Sequence, residues 1–334
     1  ATLWKKKLFV IPFSNFVRFL DLTIRRLSFF EKHIPEEIDL WNQSSVVELL
    51  VLNKKPSIDL PKKDNKKGEL ILRQLGVQEK QDFICFHSRD SSYLNTVYPQ
   101  KDWSYHDYRD SDIQNYLSAA NSMTQEGYAA IRVGSIVEKK IQTKNQEIID
   151  YASSKQRSEF MDIFLMSRCK FFLCSETGLN MVASSFRKPL VLVNYVLFDC
   201  PLFWTESVFI TKKFFFRSEN RFLSFREILT SDFTKDLFDY YGDGGIYNKV
   251  GIDLIENTPQ EIESATIELN KRMDGTWVET EEDKELQRAY WDLYSTDSKV
   301  HATPNRRRIN VNDRNTNFFV GAEFLRNNKF LLER

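Results

Sequence analysis

The sequence predicts an α/β protein: a Rossmann-type parallel sheet with helices on both faces, a short N-terminal α/β part and a helical C-terminal tail. In the middle of the chain, short and almost continuously apolar runs alternate with amphipathic segments. Such runs are typical of parallel strands that are buried on both faces. The two ends of the chain lack this alternation. At 334 residues, the chain is long enough for two domains or for one large domain with attachments.

The alternation begins with a strand predicted for "DFICFH" (82–87). A helix is predicted next for "SDIQNYLSAANSMTQEG", with Ser111 as the N-cap, Gln114 completing a capping box and Gly127 at the end. The next strand is predicted for "YAAIRVG". Further helix, strand, helix and strand segments are predicted, in that order, for "RSEFMDIFLMSRC", "KFFLCS", "TGLNMVASSFRK" and "PLVLVN".

Composition divides this region from the ends of the chain. The segment "NKKPSIDLPKKDNKKGE" contains two prolines and six lysines, which predicts a linker and a domain boundary. The C-terminal segments "NTPQEIESATIELNKRM" and "TEEDKELQRAYWDLY" predict helices, and the closing "FFVGAEFLRNNKFLLER" is amphipathic. The sequence therefore predicts an N-terminal α/β segment (1–65), a Rossmann-like domain (66–275) and a helical extension (276–334).

Charge and cysteine content narrow the class of protein. The 47 Lys and Arg residues balance the 47 Asp and Glu residues, which argues against nucleic-acid binding through bulk positive charge. The four cysteines lie in or beside apolar segments and show no C-x-x-C spacing, which favours buried reduced thiols over zinc ligands and predicts a cytoplasmic protein. They are Cys85, Cys169, Cys174 and Cys200.

No apolar run approaches the ~20 residues that a membrane-spanning helix needs. The segment "SNFVRFLDLTIRRLSFF" (14–30) predicts a helix capped by Ser14, with a basic and aromatic face. We expect this face to pack against the core, and peripheral contact with a membrane surface is the alternative.

The first candidate ligand site follows the predicted strand "KFFLC". Ser175, Thr177 and Gly178 place two hydroxyls and free backbone N–H groups at a helix start, which suits a phosphate or diphosphate. Glu176 would repel phosphate but can accept hydrogen bonds from sugar or ribose hydroxyls. Asn180 belongs to the same helix start. Ordinary N-capping explains these residue types equally well.

The second candidate is "FHSRDSSY" (86–93), at the end of the first strand of the alternation. His87 supplies a titratable ring, and Arg89 a cation suited to bidentate phosphate contacts. Asp90 could orient either of them or act as a base; an Arg89–Asp90 ion pair is the structural alternative. Arg132, at the end of "AAIRVG", would be a second cation at this edge, or else the partner in a salt bridge.

The third candidate is "YPQKDWSYHDYRDSD" (98–112), where four aromatic residues alternate with His106, Asp107, Arg109 and Asp110. This mixture suits a sugar-binding loop, and a loop that only packs on the domain is the alternative. The "DSD" at 110–112 matches a D-x-D metal signature but lies at a helix start, where acidic residues are common, so no metal site is predicted. The chain has no P-loop, G-x-G-x-x-G or G-x-S-x-G motif, which disfavours a kinase, a dehydrogenase or an α/β-hydrolase.

Taken together, several stretches resemble a family of bacterial glycosyltransferases that is often found in surface-polysaccharide loci. The resemblance covers roughly residues 83–330 and rests on "FHSRDSSYL", "WSYHDYRDSDIQNYLSAA", "RSEFMDIFLMSRCKFFLCSETGLNMVASSFRKPLVLVN", "ENTPQEI" and "GAEFLRNN". More distantly, the strand ending in H-x-R is similar to fucosyltransferases that use a GDP-sugar. In those enzymes the arginine of the motif holds the donor diphosphate, which implies this role for Arg89.

The layout also resembles the two-domain GT-B architecture, in which "SETG" and "RKPLVLVN" would belong to the donor-binding domain. This resemblance implies that residues 66–275 bind a nucleotide-sugar and that residues 276–334 pack back on the N-terminal part. Residues 1–65 would lie on the acceptor side, although they are too few for a complete first domain, so this part is either incomplete or reduced.

The expected activity is metal-independent transfer of a sugar from a nucleotide-sugar to a glycan or lipid-linked acceptor, with no cofactor. The expected location is the cytoplasm, and the inner face of the cytoplasmic membrane is the alternative. A nucleotide-sugar 2-epimerase of the same fold and a non-catalytic sugar-binding protein of a polysaccharide-assembly complex are the alternatives. The expected catalytic residues are His87, Asp90, His106 and Asp107, and the expected donor-binding residues are Arg89, Arg132, Ser175, Glu176, Thr177, Gly178 and Asn180.

Overall fold

The computed structural model describes residues 58–196, 206–230, 245–293 and 318–333. The helix predicted for residues 14–30, most of the predicted N-terminal segment 1–65 and Cys200 lie outside these residues.

The predicted parallel sheet is confirmed, and it contains seven strands in the described part of the chain. The strands are β1 (Phe83–His87), β2 (Ala129–Arg132), β3 (Ile148–Asp150), β4 (Phe172–Cys174), β5 (Leu190–Tyr195), β6 (Ser207–Thr211) and β10 (Phe318–Val320). Their order across the sheet is β3-β2-β1-β4-β5-β6-β10, and every neighbouring pair is parallel.

The described α-helices are α1 (Lys62–Gln74), α2 (Ser92–Val97), α3 (Leu117–Gln125), α4 (Glu159–Arg168), α5 (Gly178–Ser185), α6 (Phe225–Thr230), α7 (Gly245–Lys249), α8 (Pro259–Met273), α9 (Glu281–Asp292) and α10 (Ala322–Asn327). Four 3-10 helices accompany them in the described ranges, at Ser104–Arg109, Ile113–Tyr116, Tyr151–Ser153 and Lys329–Leu332.

Helices cover both faces of the sheet, as predicted. The step from β1 through α3 to β2 and the step from β4 through α5 to β5 run in opposite directions across the sheet. Because such crossovers are right-handed, α3 and α5 cover opposite faces. Helix α8 packs on α3 and on α10, whereas α4 packs on α5 and on α1. The central strands are buried on both sides, which explains their nearly continuous apolar sequences.

A second, antiparallel sheet was not predicted. It has the order β8-β7-β9 and contains β7 (Lys213–Phe216), β8 (Arg221–Phe222) and β9 (Ile252–Ile255). Strand β7 begins two residues after β6 ends, so this sheet extends the carboxyl edge of the main sheet. Its Phe-rich strands resemble buried parallel strands in composition, which is why periodicity did not separate them.

The C-terminal segment contains the predicted helices and, in addition, a strand. β10 pairs with β6 in parallel register, with Phe318 opposite Ser207 and Val320 opposite Phe209. Helix α10 follows at once and packs on α8 and α9. The tail is therefore part of the main sheet and not a purely helical attachment.

Two local predictions are wrong. The lysine-rich segment predicted as a linker forms helix α1 from Lys62, and Gly68 of this helix lies directly against the ring of Phe164 in α4. Asp112, and not Ser111, caps the helix start after the aromatic loop, because the Asp112 carboxylate accepts from the backbone N–H of Gln114 at 3.1 Å. The Ser111 hydroxyl instead lies 2.9 Å from the buried phenol of Tyr116.

The strand order places a reversal between β1 and β4. Chain connections leave β1 towards β2 on one side and leave β4 towards β5 on the other, so the loops after these two strands diverge and open a crevice. His87 ends β1 directly opposite Cys174, which ends β4. The first two candidate stretches therefore meet at this point.

Candidate functional site

A cleft of about 530 Å³ opens at the carboxyl ends of β1 and β4. The residues after β1, β2 and β4 form three sides of it, and the aromatic loop that follows α2 forms the fourth. It is lined by His87, Arg89, Asp90, Tyr93, Leu94, Trp103, His106, Arg109, Gly134, Ser135, Ile136, Asp162, Glu176, Thr177, Gly178, Leu179 and Val182. The structure thus brings members of all three candidate stretches together.

Arg89 forms the cationic side of the cleft. Its side chain is largely buried, and Nη1 donates to the carbonyl of His106 at 3.1 Å and to the Asp110 carboxylate. Asp110 therefore offsets part of the Arg89 charge, in place of the Asp90 partner that the sequence suggested. The buried Nη2 has no hydrogen-bond partner among the described residues. At the cleft, this nitrogen can donate to an acceptor such as a ligand oxygen.

The N-terminus of α5 forms another side of the cleft. The hydroxyl of Thr177 caps the helix by accepting from the backbone N–H of Leu179 at 3.2 Å. Gly178 is exposed, and a Cβ at this position would meet nothing within 4 Å, so a ligand can approach the backbone. Thr177, Gly178 and Glu176 all line the cleft, and their role in ligand binding stays a prediction.

Ser175 and Asn180 do not line the cleft. Ser175 is fully buried, and its Oγ accepts from the backbone N–H of Arg89 at 2.8 Å. Its backbone N–H donates to the carbonyl of His87 at 3.3 Å. Ser175 therefore ties the loop after β4 to the loop after β1. Asn180 is half-buried, further along the helix.

His87 lines the cleft in one defined tautomer. Its Nδ1 lies 2.8 Å from the carbonyl oxygen of Val133, which can only accept, so the proton of the neutral ring is on Nδ1 and the lone pair is on Nε2. Burial lowers the pKa of His87 to about 4, against a smaller opposing effect of the Val133 hydrogen bond. The ring is therefore neutral at physiological pH and can accept a proton at Nε2.

Gly134 makes room for that ring. It has a φ of 154°, and a Cβ there would lie 2.8 Å from Cγ1 of Val137 and 3.3 Å from Nδ1 of His87. Any side chain would displace the loop after β2 from the histidine that it fixes.

The 3-10 helix Ser104–Arg109 forms a wall of the cleft. Side chains three residues apart align in a 3-10 helix, so Trp103, His106 and Arg109 share one face, and all three line the cleft. The rings of Trp103 and His106 are nearly parallel, 12° apart, with centroids separated by 6.1 Å. Arg109 donates from Nη2 to Nδ1 of His106 at 2.6 Å.

His106 is also neutral, but its proton and its lone pair lie on the opposite ring nitrogens from those of His87. Burial lowers its pKa to about 4, and the charges of Arg109 and Arg89 add to the effect. Because Arg109 donates to Nδ1, the lone pair of the neutral ring is already engaged and Nε2 carries the proton. Among the two predicted histidines, only His87 keeps a lone pair outside these hydrogen bonds.

The two carboxylates that were predicted to be catalytic, Asp90 and Asp107, lie in different places. Asp90 lines the cleft, and its oxygens accept from the backbone N–H groups of Ser92 at 3.0 Å and Glu138 at 3.1 Å. Asp107 is exposed on the other face of the wall, where it lines a second cavity of about 590 Å³. Its carboxyl group is partly desolvated, which raises the pKa of Asp107 although the residue is exposed. The structure therefore separates Asp107 from the other three candidate catalytic residues.

Arg132 lies behind the cleft and does not line it. Its side chain is 1% exposed and donates from Nη1 to the carbonyl of Lys139 and, at 3.5 Å, to Asp150 of β3. This ion pair is the structural alternative that the sequence left open. Its charge still lowers the pKa of His87.

Two further cations lie at this site: Arg109 was predicted only as part of the aromatic loop and not as a donor-binding residue, and Lys212 was not predicted. Arg109 takes the place in the cleft that was expected for Arg132, and its buried Nε has no hydrogen-bond partner among the described residues. Lys212, one residue beyond β6, is buried and donates from Nζ to the backbone carbonyls of Tyr108 at 3.1 Å and Asp110 at 2.6 Å. The threefold spacing of residues 103, 106 and 109 was the available signal for Arg109.

The described residues contain no group of three or more His, Cys, Asp or Glu side chains positioned to hold a metal ion. The carboxylates of the "DSD" sequence serve the fold: Asp110 pairs with Arg89, and Asp112 caps the following helix. The described cysteines Cys85, Cys169 and Cys174 are buried and unpaired. None of the described helices is long and apolar enough to cross a membrane.

No protein-family model matches the chain, and no curated protein sequence matches it. Among solved structures, the chain is similar to a glycosyl transferase family 9 protein from Veillonella parvula DSM 2008, with a TM-score of 0.37 and 11% sequence identity. The match covers 64% of this chain, and the chain spans about half of that protein, 52% of its length.

Proposed function

We propose that the protein is a glycosyltransferase that takes a sugar from a nucleotide-sugar and transfers it to a glycan or lipid-linked acceptor without a metal ion. One observation carries the proposal: the cleft at the sheet reversal combines a buried, unsatisfied arginine donor with an open helix N-terminus. These two features suit a diphosphate. The diphosphate is the leaving group of such a donor, and its developing charge needs stabilisation.

In the proposed reaction, Arg89, Arg109 and the N–H groups at the start of α5 bind the donor diphosphate. Glu176 accepts from hydroxyls of the donor sugar or ribose, and Trp103 offers an apolar face to a ring. The acceptor oxygen forms the new bond to the anomeric carbon and gives its proton to Nε2 of His87. The bond from that carbon to the diphosphate oxygen breaks, and the diphosphate leaves with the electron pair.

The pKa of His87 fits this role once the donor is bound. In the structure the ring is neutral, because burial holds the pKa at about 4 and the positive charges of Arg132 and Arg89 contribute. A bound diphosphate brings negative charge into the cleft next to Arg89, which raises the pKa of His87 towards neutrality and makes it a stronger base.

The epimerase alternative needs several carboxylates converging on the sugar. Two of the carboxylates that line the cleft are engaged elsewhere: Asp90 accepts from two backbone N–H groups, and Asp162 accepts from Tyr151 and Arg157. This observation favours the transferase. Incubation with UDP-GlcNAc and no acceptor separates the two, because release of free N-acetylmannosamine would favour the epimerase.

The first experiment is a thermal-shift screen against UDP, GDP, CMP and dTDP and their sugars. A ligand at ~100 times its Kd adds about 2.7 kcal/mol to the free energy of unfolding, which a melting curve detects. Arg89→Lys should reduce the shift strongly because a lysine cannot reproduce the guanidinium fork. Arg132→Lys is the matched control, since Arg132 is also buried at this edge but does not line the cleft, and its ligand shift should persist.

The absence of a shift with every nucleotide would contradict the proposal. Once a donor is identified, His87→Asn should keep the nucleotide shift and lower turnover by roughly 10² to 10⁴, the range of general-base contributions. Full turnover in this variant would exclude His87 as the base.

A further inference from the structure

The wall segment, defined here as residues 104–110, is fixed to the sheet through its backbone. Lys212, at the end of β6, holds the carbonyls of Tyr108 and Asp110, and Arg89, at the end of β1, holds the carbonyl of His106 and the Asp110 side chain. The carbonyls of residues 106, 108 and 110 therefore bind two cations that come from strands far apart in sequence.

Lys212 is the more unusual of these cations. Its side chain is 4% exposed, and it forms no ion pair with a carboxylate in the described part of the chain. Burial lowers its pKa to about 8, with Glu256 raising it and Arg89 lowering it. Burying an ammonium group is costly unless its hydrogen bonds compensate. A residue that only filled space here would be better apolar.

The wall backbone that Lys212 holds carries the cleft-facing side chains. Trp103, His106 and Arg109 depend on the path of this 3-10 helix, and Arg109 is one residue from each of the two carbonyls that Lys212 binds. Glu256 fixes the chain immediately beyond, because Oε2 accepts from the backbone N–H of Asp112 at 3.0 Å. Lys212 and Arg89 therefore fix the wall segment itself, and Glu256 fixes the chain that follows it.

We propose that Lys212 is a positioning residue of the cleft: its buried ammonium group fixes the wall segment and thereby places Arg109 and Trp103 for binding of a diphosphate-containing ligand. The identity of the ligand rests on the proposed function. The claim that Lys212 fixes the wall segment, called here the structural half, does not depend on it. Lys212 touches no ligand in this proposal and acts through the wall.

The structural half is tested by the fluorescence of Trp103. This signal is the difference in emission between each protein and the same protein carrying Trp103→Phe. In the wild type this signal should titrate with a midpoint near 8, because the neutral amine binds the carbonyls less strongly. Lys212→Arg should show no transition between about pH 7 and about pH 9.5, since a guanidinium stays charged. Lys212→Met should give the high-pH signal throughout.

The ligand half is tested with pyrophosphate, by calorimetry at the same two pH values. Lys212→Met should weaken pyrophosphate binding about tenfold at neutral pH, comparable to losing one charge-assisted hydrogen bond. The wild type should lose affinity at high pH relative to Lys212→Arg, and ionisation of the probe cancels in that comparison. Lys213→Met is the matched control, because this neighbouring lysine pairs with Glu261 at 2.7 Å and should leave binding unchanged.

The outcomes separate the inference from the proposed function. An identical Trp103 signal in wild type and Lys212→Met, or a transition that persists in Lys212→Arg, would overturn the inference. Tight pyrophosphate binding by both Lys212 variants would do the same. If the wild type binds no pyrophosphate while the Trp103 signal follows Lys212, the proposed function fails and the hold of Lys212 on the wall stands. Should Lys212→Met not fold, the comparison with Lys212→Arg is sufficient.

Discussion

Arg89, Arg109 and Arg132 show how the surroundings of a guanidinium decide its role. All three lie near the carboxyl edge of the sheet, and each keeps a buried nitrogen without a hydrogen-bond partner in the described part of the chain. Arg132 pairs with Asp150 and lies behind the cleft, whereas Arg89 and Arg109 line it. The sequence can place a cation at a strand end. It does not show which carboxylate, among several at similar distance along the chain, will fold against it.

His87 should make the stability of the protein depend on pH. Its pKa is about 4 in the folded protein and 6.5 in an unfolded chain, so the unfolded state binds more protons between these values. The free energy of unfolding should therefore fall as the pH drops from about 6.5 to about 4, and His87 should contribute nothing to the slope above that window. His106 acts in the same direction and in the same window.

Urea denaturation of wild type and His87→Asn across this range measures the effect. The asparagine amide can still donate to the carbonyl of Val133 but does not titrate, so the variant should lose less stability on acidification. His106→Asn should likewise lose less free energy of unfolding on acidification than wild type, because its side chain does not titrate either. An identical pH dependence in all three proteins would show that these rings are not held in their neutral forms.

Individual residues of the cleft were predicted with mixed success, for a physical reason. His87, Arg89, Asp90, His106, Glu176, Thr177 and Gly178 line the cleft, and their functional roles stay predictions. Ser175 follows a strand end like the others, but a small hydroxyl facing a neighbouring loop is easily buried in a hydrogen bond. Strand position predicts the edge on which a residue lies and not the direction of its side chain.

Among the elements, helix α8 packs both on α3 and on the C-terminal helix α10. Its buried Glu268 accepts from the backbone N–H of Ala322 at 2.6 Å and from Nε of Arg272 at 2.9 Å, and thereby fixes the start of α10. The guanidinium of Arg272 also lies 3.6 Å from the ring centroid of Phe319 in β10. This polar cluster, together with Gln287 at the backbone of Val320, holds the C-terminal strand on the sheet.

Glu268→Gln should loosen the C-terminal segment 318–333. Glutamine has only one oxygen, so its amide N–H₂ group would face one of two donors, and a buried donor left unsatisfied costs about 1 to 3 kcal/mol. Limited proteolysis should cut near the segment sooner in this variant than in wild type. Glu263→Gln is the matched control on the same helix, because its partners are the hydroxyls of Ser118 and Ser122, which can also accept. Equal proteolysis of both variants would contradict this account.

Elements with strong helical or strand periodicity were predicted, and those without it were not. The middle strands and helices match their predicted positions within a few residues. Helix α1 was taken for a linker because Pro, Lys and Asn dominate its start, yet the close fit of Gly68 against Phe164 holds it as a helix. The wall segment has no apolar period at all, and its form depends on Lys212, which lies 102 residues from Asp110.

For the whole molecule, the reversal of strand order decides where a ligand can bind. The cleft lies at the carboxyl edge between β1 and β4, where the loops after these two strands diverge. Hydrogen exchange in the presence of a bound nucleotide should therefore slow at the loops around Arg89 and Gly178 and along the wall segment.

Mass spectrometry of the exchanged peptides measures this, with the amino ends of the strands as internal control. Amides near Phe83, Ala129 and Phe172 should exchange at the same rate with and without the nucleotide, because they lie at the other edge of the sheet. Protection that is confined to the second cavity, on the Asp107 side of the wall, would place the nucleotide elsewhere than proposed.

The 3-10 geometry of the wall sets a length rule for this protein. Because the face repeats every three residues, inserting or deleting one residue between Trp103 and Arg109 would turn the remaining side chains by about 120°. Groups such as Tyr105 and Asp107 would then face the cleft, and His106 would leave it. Related chains with the same site should therefore vary freely in residue type on the outer face of the wall and yet keep the number of residues in it.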